Sequence, residues 1–426
     1  MNAAPSAGDG SARRSPPGFT SPDYVLSELS PTALRILDAA RRILERDGYT
    51  GLTLRRIGDE AGETKSLIVY HFGGKDGLIA ALVDSLWHED NLQLARRLRD
   101  LPDSPLERVR SLIDVHHALA LEEPEYRMYF DLLPNLIRDT HARHRHAELN
   151  HAYRALDAMA MQGTSLTAAE QQAMASLVLA IDEGGAALLQ IEPDGFDHGA
   201  AFGLLQTLVT VRSGVASRVT GRPAVATPAM VEERIRPAFE DPAAQLAPVA
   251  RRLRDSAVRV LVKEGLAHLT FEAVADASGE PRSATTYYFG DKRHLLIAVH
   301  EALLYRAERL AARRLRRAAG QAAEGRVLAR MPRRVPGGLA TFRTLYELLP
   351  AILRDEELRR DHADHVAWLR AALTTAASAE GHPPAPALVD LAIAFAYGLP
   401  MQLLLDRRGL DPAPVFEMWA SLVDLS

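Results

Sequence analysis

The feature that most constrains this chain is an internal repeat. The segment SLIVYHFGGK (Ser66–Lys75) returns as SATTYYFGDK (Ser283–Lys292), with serine, tyrosine, phenylalanine, glycine and lysine in the same register. A shift of 217 positions aligns residues 33–99 with residues 250–316 without a gap. Because self-similarity at a fixed period indicates a duplicated structural unit, we expect both halves of the chain to fold in the same way.

The likeness extends beyond this block. FDLLPNLIRD at 130–139 matches YELLPAILRD at 346–355 at a shift of 216, and GFD at 195–197 matches GLD at 409–411 at a shift of 214. The shift drifts by only three residues, which indicates a few small loop deletions. The 426-residue chain is long enough for two such units.

Both units are predicted to be all-α. Aromatic residues make up only 6% of the chain, and no segment has the strict alternation of a half-buried strand. A helix that opens at Ser30 and Pro31 is expected to stop at Gly48. Two short helices follow, Leu54–Ala61 and Lys65–Phe72, each ended by a glycine. Short helices joined by a tight turn are typical of a helix-turn-helix.

The repeat and the glycine and proline punctuation divide the chain into six predicted segments. They are a disordered tail (1–29), a helix-turn-helix domain (30–80), a C-terminal regulatory domain (81–212), a linker (213–247), a second helix-turn-helix domain (248–297) and a second C-terminal regulatory domain (298–426). The tail is rich in Pro, Gly, Ser and Ala, and it has no apolar core of a signal peptide. The linker contains four prolines and two glycines.

Several classes of function have no support in the sequence. The chain has no cysteine, which excludes disulfides and thiolate metal sites. The histidines of THARHRHAELNH (140–151) have poor spacing for one metal and are expected on a solvated helix face. There is no P-loop, HExxH, GxSxG or dinucleotide loop, so we predict no metal, no cofactor and no enzyme activity. No apolar run of membrane-spanning length was recognised, and a cytoplasmic location is expected.

These patterns resemble the DNA-binding domain of the TetR family of bacterial regulators. In that family a Thr-capped helix is followed by a Ser/Thr-led recognition helix, which ends in aromatic residues, and a lysine opens the next helix. The pattern reads LTLRRIGDEAGETKSLIVYHFGGKDGL in the first copy and LTFEAVADASGEPRSATTYYFGDKRHLL in the second. With the helix count and unit length, the resemblance covers about 360 of the 426 residues.

Some positions depart from the family pattern. Val69 and Thr286 stand where the family usually has tyrosine, and the tyrosine comes one place later in each copy. Pro281 replaces the Ser/Thr cap of the second recognition helix, which removes the side-chain acceptor. Glu63 and Glu280, at the turn before each recognition helix, are expected to cap it.

The resemblance and the helix positions predict which side chains contact DNA. Lys65 and Arg282 hold the early position from which Arg or Lys reaches guanine. Thr53 and Thr270 are expected to cap helices, with an added phosphate contact as the open alternative. The predicted set is Thr53, Arg55, Thr64, Lys65, Ser66, Tyr70, His71, Lys75, Thr270, Arg282, Ser283, Thr285, Thr286, Tyr287 and Lys292.

The resemblance implies that the last two helices of each unit form a four-helix bundle. We expect helices at 168–190 and 197–211 to pair with those at 385–405 and 412–425, which makes an intramolecular pseudo-dimer. A head-to-head dimer of two chains is the alternative. The resemblance also implies a ligand pocket, which we place in the first unit because two prolines break the matching segment of the second. Its predicted residues are Trp87, His116, Tyr129, Leu133 and Glu183, and ordinary core packing is the alternative for each.

The sequence thus predicts a transcriptional regulator, of repressor type, that responds to an unknown small-molecule effector. Its two helix-turn-helix domains, here called heads, are unlike because their recognition helices differ in their central residues. They are therefore expected to bind an imperfectly palindromic operator in double-stranded DNA. One alternative stays open, namely a ligand- or partner-binding module of antirepressor type that has weakened or lost DNA binding. The net charge of −5 and the departures from the family pattern favour that alternative.

Overall fold

The computed structural model is described for most of the chain. The described residues are 29–86, 102–121, 123–215, 235, 241, 244, 246–320, 327–330, 339–378, 383–406 and 409–425. Within these ranges the secondary structure is helical and no strand occurs, which confirms the all-α prediction.

The helices of the first copy follow the predicted order. They are α1 (Pro31–Gly51), α2 (Leu54–Ala61), α3 (Lys65–Phe72), α4 (helical over 75–86), α5 (Pro105–Ala120), α6 (Glu123–Arg138), α7 (Thr140–Ala160), α8 (Ala168–Ile191) and α9 (His198–Arg212).

The second copy repeats this order. Its helices are α10 (Pro248–Glu264), α11 (Phe271–Ser278), α12 (Arg282–Phe289), α13 (Lys292–Gly320), α14 (Val327–Arg330), α15 (Leu339–Arg354), α16 (Glu356–Ser378), α17 (Pro386–Leu405) and α18 (Pro412–Val423). A single 3₁₀ turn, Leu266–His268, joins α10 to α11.

The short helices begin where their capping residues predict. The Thr53 hydroxyl accepts the Arg56 N–H at 3.3 Å, and the Thr64 hydroxyl accepts the Leu67 N–H at 3.3 Å. These bonds satisfy amide groups that the first turn of a helix leaves free. In the second copy Pro281 is the N-cap of α12 and makes no side-chain cap bond, as the sequence indicated.

The two copies are joined through a close crossing of α8 and α17. A Cβ at Gly184 would lie 1.9 Å from the Ala394 carbonyl oxygen, and a Cβ at Gly398 would lie 1.7 Å from the Ala180 carbonyl oxygen. Both pairs match at the repeat shift of 214, so the contact is nearly two-fold symmetric. Helices α9 and α18 complete a four-helix bundle. The expected intramolecular pseudo-dimer is confirmed.

By length and apolar composition the bundle helices α8 and α17 could each cross a membrane. Neither contains an uncharged apolar run of about 18 residues, because Asp182 and Glu183 interrupt α8 and Asp390 lies near the start of α17. In the structure 89% and 94% of their apolar windows are buried within the protein. A helix that is apolar on all sides belongs in a core of this kind, and the burial accounts for the composition.

Candidate nucleic-acid interface and ligand cavity

Helix α3 presents most of the predicted DNA-contacting residues of the first copy to solvent. Lys65, Ser66 and Tyr70 are exposed, and Tyr70 is 81% accessible. Ile68 is fully buried and joins the core beneath the helix. The exposed face therefore carries a cation early in the helix and an aromatic hydroxyl near its end, with Val69 between them.

Helix α12 has the same exposed face, with one correction. Arg282, Ser283, Thr286 and Tyr287 are exposed, and Tyr287 is 81% accessible like its counterpart in α3. Thr285 is 0% exposed, and its hydroxyl has no hydrogen-bond partner among the described residues. The prediction that Thr285 contacts DNA is wrong, because the helical period turns this position towards the core.

The predicted DNA-contacting residues on either side of α3 also contact other residues of the first head. Arg55 is exposed and lies 3.9 Å from Asp59. His71 is half-buried and meets the neighbouring tyrosine ring edge-on. Lys75 places its Nζ 4.4 Å from the centre of the Tyr49 ring, and partial burial lowers the pKa of this lysine. A cation at this site is stabilised by the aromatic ring, and it stands at the start of α4, where the helix dipole favours a bound anion.

In the second copy the predicted DNA-contacting residues on either side of α12 are Thr270 and Lys292. The Thr270 hydroxyl accepts the Ala273 N–H at 3.1 Å, so its capping role is confirmed. Lys292 is exposed, and its Nζ donates a long bond of 3.5 Å to the Leu266 carbonyl.

The two heads differ in charge. Arg55 and Arg56 of α2 are matched by Glu272 and Ala273 of α11 at the repeat shift. Arg282 lies 3.9 Å from the Glu272 carboxylate, and both side chains are 71% exposed. The first head therefore has the more basic surface around its recognition helix.

An ion pair that the sequence analysis missed fixes each recognition turn. Arg35 donates to Glu63 at 2.5 Å in the first head, and Arg252 donates to Glu280 at 2.5 Å in the second. The two pairs match at the shift of 217. Both glutamates had been expected to cap the recognition helices, but they tie the turn to the first helix of the head instead.

The first unit contains a cavity of about 70 Å³ in the region where the ligand pocket is predicted. Its lining comes from α4 to α8 and comprises Val83, Leu86, His116, Leu119, Tyr126, Tyr129, Leu132, His146, Asn150, Tyr153, Leu179, Asp182 and Glu183. Of the five predicted residues, His116, Tyr129 and Glu183 are among these. Leu133 is not, because it is fully buried in the apolar core. Trp87 lies outside the described residues.

A buried histidine between two aspartates forms one wall of the cavity. The Nε2 of His116 lies 3.2 Å from both carboxylate oxygens of Asp157, and its Nδ1 lies 3.3 Å from Oδ2 of Asp182. Burial alone would lower the pKa of His116, but the two carboxylates raise it to about 10. The ring is therefore an imidazolium at neutral pH.

Glu183 lies beside this cluster on α8. Burial and the nearby Asp182 charge raise the pKa of Glu183 to about 8. The Tyr126 hydroxyl donates to Oδ2 of Asp182 at 2.7 Å. Oδ1 of Asp182 and Oε2 of Glu183 have no hydrogen-bond partner in the described part of the chain. The cavity therefore contains acceptors that the protein itself leaves unused.

His146 is a lining residue that the sequence analysis placed on a solvated helix face. It is 2% exposed, its ring stacks on Tyr129, and Asn150 lies 3.1 Å from its Nε2. Burial lowers the pKa of His146 to about 3. The repeat was the available sequence signal for His146, because this histidine matches His362 of the second copy. His362 is also buried.

A pair of arginines joins each regulatory domain to the head of the other copy. Arg138, the last residue of α6, donates to Glu347 at 2.5 Å and to the carbonyl oxygens of Leu261 and Lys263 at 3.3 Å each. Those carbonyls end α10, the first helix of the second head. A cation at the C-terminus of a helix is favoured by the helix dipole.

Arg354, the last residue of α15, makes the reciprocal contacts. It donates to Oδ1 of Asp131 at 3.0 Å and to the carbonyl oxygens of Leu44 and Arg46 at 3.0 and 3.3 Å, at the end of α1. The arginines match at a shift of 216 and their carbonyl partners at 217, so the arrangement is two-fold symmetric. We call these residues the crossed arginines.

Helix α6 thereby connects the cavity to both heads. Tyr126 and Tyr129 line the cavity from this helix. Asn135 lies 3.5 Å from the Tyr49 hydroxyl of the first head, and Arg138 holds the second head. A displacement of α6 would be transmitted to the two heads at once.

Comparison with known proteins agrees with this architecture. Residues 36–82 and 253–299 each match the family model described as bacterial regulatory proteins, tetR family. The HTH-type transcriptional repressor AcnR of Corynebacterium glutamicum is 32% identical over 90 residues, which are 21% of this chain and 40% of the repressor. The HTH-type transcriptional regulator TtgR of Pseudomonas putida is 41% identical over 69 residues, 16% of this chain and 32% of that protein. BetI of Brucella canis, also an HTH-type regulator, is 33% identical over 94 residues, 22% of this chain and 47% of that protein.

The fold and the matched segments define a helix-turn-helix protein with two heads. The chain carries two segments that match the TetR family model, one in each copy, and these matches support a tandem fusion of two TetR-like units. It spans less than half the length of each of the curated relatives named here.

Proposed function

We propose that this chain is a ligand-responsive DNA-binding transcriptional regulator of repressor type. The observation that carries the proposal is the pair of matching exposed faces on α3 and α12, each with a cation early in the helix and a tyrosine 81% exposed near its end. The names of its relatives, which are transcriptional regulators and repressors, support the same role. The role is not enzymatic, and a cytoplasmic location follows from it.

The two heads would bind one double-stranded operator with unlike half-sites. Lys65 and Arg282 would contact bases or phosphates, and recognition helices of paired heads enter successive major grooves about 34 Å apart. A linker at 213–247 would allow both heads to come from a single chain. The more basic first head is expected to supply more of the phosphate affinity.

The cavity of the first unit would take the effector. Helix α6 lines it and contacts both heads, so a ligand that binds one position of α6 more tightly shifts the populations of two head arrangements. The second unit needs no effector of its own in this scheme, because the crossed arginines already link its head to α6.

The test is binding of the purified chain to the DNA upstream of its own gene, measured by fluorescence anisotropy across salt concentrations. We expect affinity to fall steeply with salt and footprints to show two unlike half-sites. Lys65→Ala and Arg282→Ala should each weaken binding by about tenfold, since a base or phosphate contact is worth roughly 1–3 kcal/mol.

The opposite result has a clear meaning. Affinity that does not respond to salt or to either substitution would make the chain a ligand- or partner-binding module of antirepressor type. A perfect palindrome bound by two chains through their first heads alone would exclude the two-head operator while retaining DNA binding.

A further inference from the structure

The cavity of the first unit contains more buried negative charge than its own cation neutralises. Asp157 and Asp182 are 0% and 2% exposed, and His116 is the buried imidazolium between them, whereas the neighbouring Glu183, 4% exposed, is a neutral acid near pH 7. A further buried guanidinium, Arg154, is paired with Asp406 of the second unit and also lowers the pKa of Asp157 and Glu183, so three aspartates face two cations. Burying carboxylates in excess of their partners is costly, so the site lacks a counter-ion.

The unused oxygen atoms point to the same conclusion. Oδ1 of Asp182 and Oε2 of Glu183 lack a hydrogen-bond partner within the described ranges. The bond from the Tyr126 hydroxyl to Oδ2 of Asp182 fixes the orientation of that carboxylate. Glu183 holds its proton near neutral pH because burial and the Asp182 charge raise its pKa to about 8. A cation bound beside it would favour the ionised form.

Aromatic side chains provide part of the lining. Tyr126, Tyr129 and Tyr153 all border the cavity. The faces of aromatic rings attract ammonium groups, and cages of this kind recognise quaternary ammonium ions. A volume of about 70 Å³ suits a small molecule.

The second copy shows that a TetR-like unit folds without these carboxylates. At the three matching positions it has Leu373, Ala396 and Tyr397, all buried. The Tyr397 hydroxyl lies 3.0 Å from the Nε2 of His362, and burial lowers the pKa of that histidine well below its ordinary value. The second unit therefore has no charged side chain at these three positions. The carboxylates of the first unit are a local addition to a shared fold.

We propose that the cavity of the first unit binds a small organic cation, a protonated amine or a quaternary ammonium ion. Asp182 and Glu183 are its counter-ions and the three tyrosines are its walls. The inference rests on the proposed function in taking this cavity as the effector site. A protonated amine would donate to the two unused oxygens, whereas a quaternary ion would depend on the tyrosine faces.

The test is isothermal titration calorimetry on the full chain without DNA. The probes are propylammonium and tetramethylammonium, with 1-propanol and tert-butanol as neutral analogues of similar size and propionate as the anion. We expect at least one ammonium probe to bind one site per chain, at least tenfold more tightly than its neutral analogue, and propionate not to bind. Equal binding of the neutral analogues, preference for propionate, or no binding of either cation would overturn the inference.

Two substitutions test the assigned counter-ions. Asp182→Asn and Glu183→Gln should each lower cation affinity at least tenfold. Tyr397→Phe, at the position of the second unit that matches Glu183, is the control and should leave the affinity unchanged. Circular dichroism and thermal unfolding check folding, which both variants should retain because Glu183→Gln replaces a neutral acid with an amide of the same size and Asp182→Asn leaves His116 paired with Asp157. Unchanged cation affinity in both variants would contradict the assignment.

Operator binding, measured separately with and without the ammonium probe, distinguishes this inference from the proposed function. A cation that binds without changing operator affinity supports the site and counts against its effector role. Release of DNA by a neutral or anionic ligand of the same cavity supports the effector role and overturns the cation assignment.

Discussion

At the scale of single residues, Thr285 illustrates how helix geometry determines which side chains of a recognition helix are exposed for contact with DNA. It lies between exposed neighbours in α12, yet it is fully buried and matches Ile68 of α3. A recognition helix packed on its own domain exposes only one face. Ile68 and Thr285 therefore lie in the core, while the next residues, Val69 and Thr286, face solvent. The difference between the two heads therefore lies in Val69 against Thr286 more than in the buried position.

Thr285→Val tests this placement. The hydroxyl is buried and unpartnered within the described chain, so its removal should raise the free energy of unfolding by about 1 kcal/mol. Operator affinity should not change, because the side chain does not face DNA. Urea unfolding and anisotropy titration measure the two quantities. Thr286→Val is the matched comparison, and a larger loss of affinity for Thr285→Val than for Thr286→Val would refute the assignment.

At the scale of secondary-structure elements, α6 and α15 each end in one of the crossed arginines. Sequence patterns place both helices correctly, since FDLLPNLIRD and YELLPAILRD match closely. The patterns do not show that each terminal arginine reaches into the other copy. That partnership depends on how the bundle places one unit against the other.

Substituting the crossed arginines should affect the opposite head. Arg138→Gln leaves Glu347 buried without its guanidinium partner, and Arg354→Gln does the same to Asp131. Breaking a buried pair costs about 3–5 kcal/mol. In hydrogen exchange, Arg138→Gln should increase exchange in residues 253–299 and Arg354→Gln in residues 36–82. Each variant is the control for the other. Faster exchange only in the head of the copy that carries the substitution would contradict the crossed arrangement.

The crossing of α8 and α17 gives a second prediction at this scale. Gly398→Ala would place a methyl group 1.7 Å from the Ala180 carbonyl oxygen, so the helices must move apart. Overpacking of this kind costs roughly 1–3 kcal/mol, which urea unfolding would measure. Gly203→Ala on α9 is the control, because a Cβ there meets nothing within 4 Å. Equal stability of the two variants would argue against the tight crossing.

At the scale of the whole molecule, buried histidines in both units determine how stability responds to acid. Burial lowers the pKa of His146 and of His300 to about 3 and that of His198 to about 4. In the unfolded chain these groups titrate near 6.5. Below that pH the unfolded state binds more protons, so the free energy of unfolding falls as pH drops from 6.5 towards 4.

Urea unfolding between pH 7 and pH 5 measures this dependence, with an expected loss on the order of 2 kcal/mol per histidine. His116, whose pKa is raised to about 10, is protonated in both states at pH 5 and opposes the loss only above 6.5. Glu183, whose pKa is raised to about 8, is protonated only in the folded state over this window and offsets part of the loss. His198→Phe is the diagnostic variant, since the ring stacks on Phe202 and its nitrogens have no hydrogen-bond partner among the described residues. It should flatten the pH dependence, and an unchanged slope would contradict the assignment.

The sequence by itself determined the duplication, the helical class and the bounds of the short helices. Those features depend on local signals, namely capping threonines, terminating glycines and a repeat shift that stays nearly constant along the chain. It also identified three residues of the cavity, because the position of a pocket within a repeated unit can be inferred once the unit is recognised.

Only the tertiary structure decided which of those side chains meet. Thr285 and Leu133 turned inward, His146 joined the cavity, and the crossed arginines found carbonyl partners in the other copy. The buried charge around His116 brings together residues from α5, α7 and α8, with Asp157 lying 41 positions and Asp182 lying 66 positions beyond the histidine. Local patterns specify where helices begin and end, but burial and pairing depend on how the helices pack, and packing is a property of the whole chain.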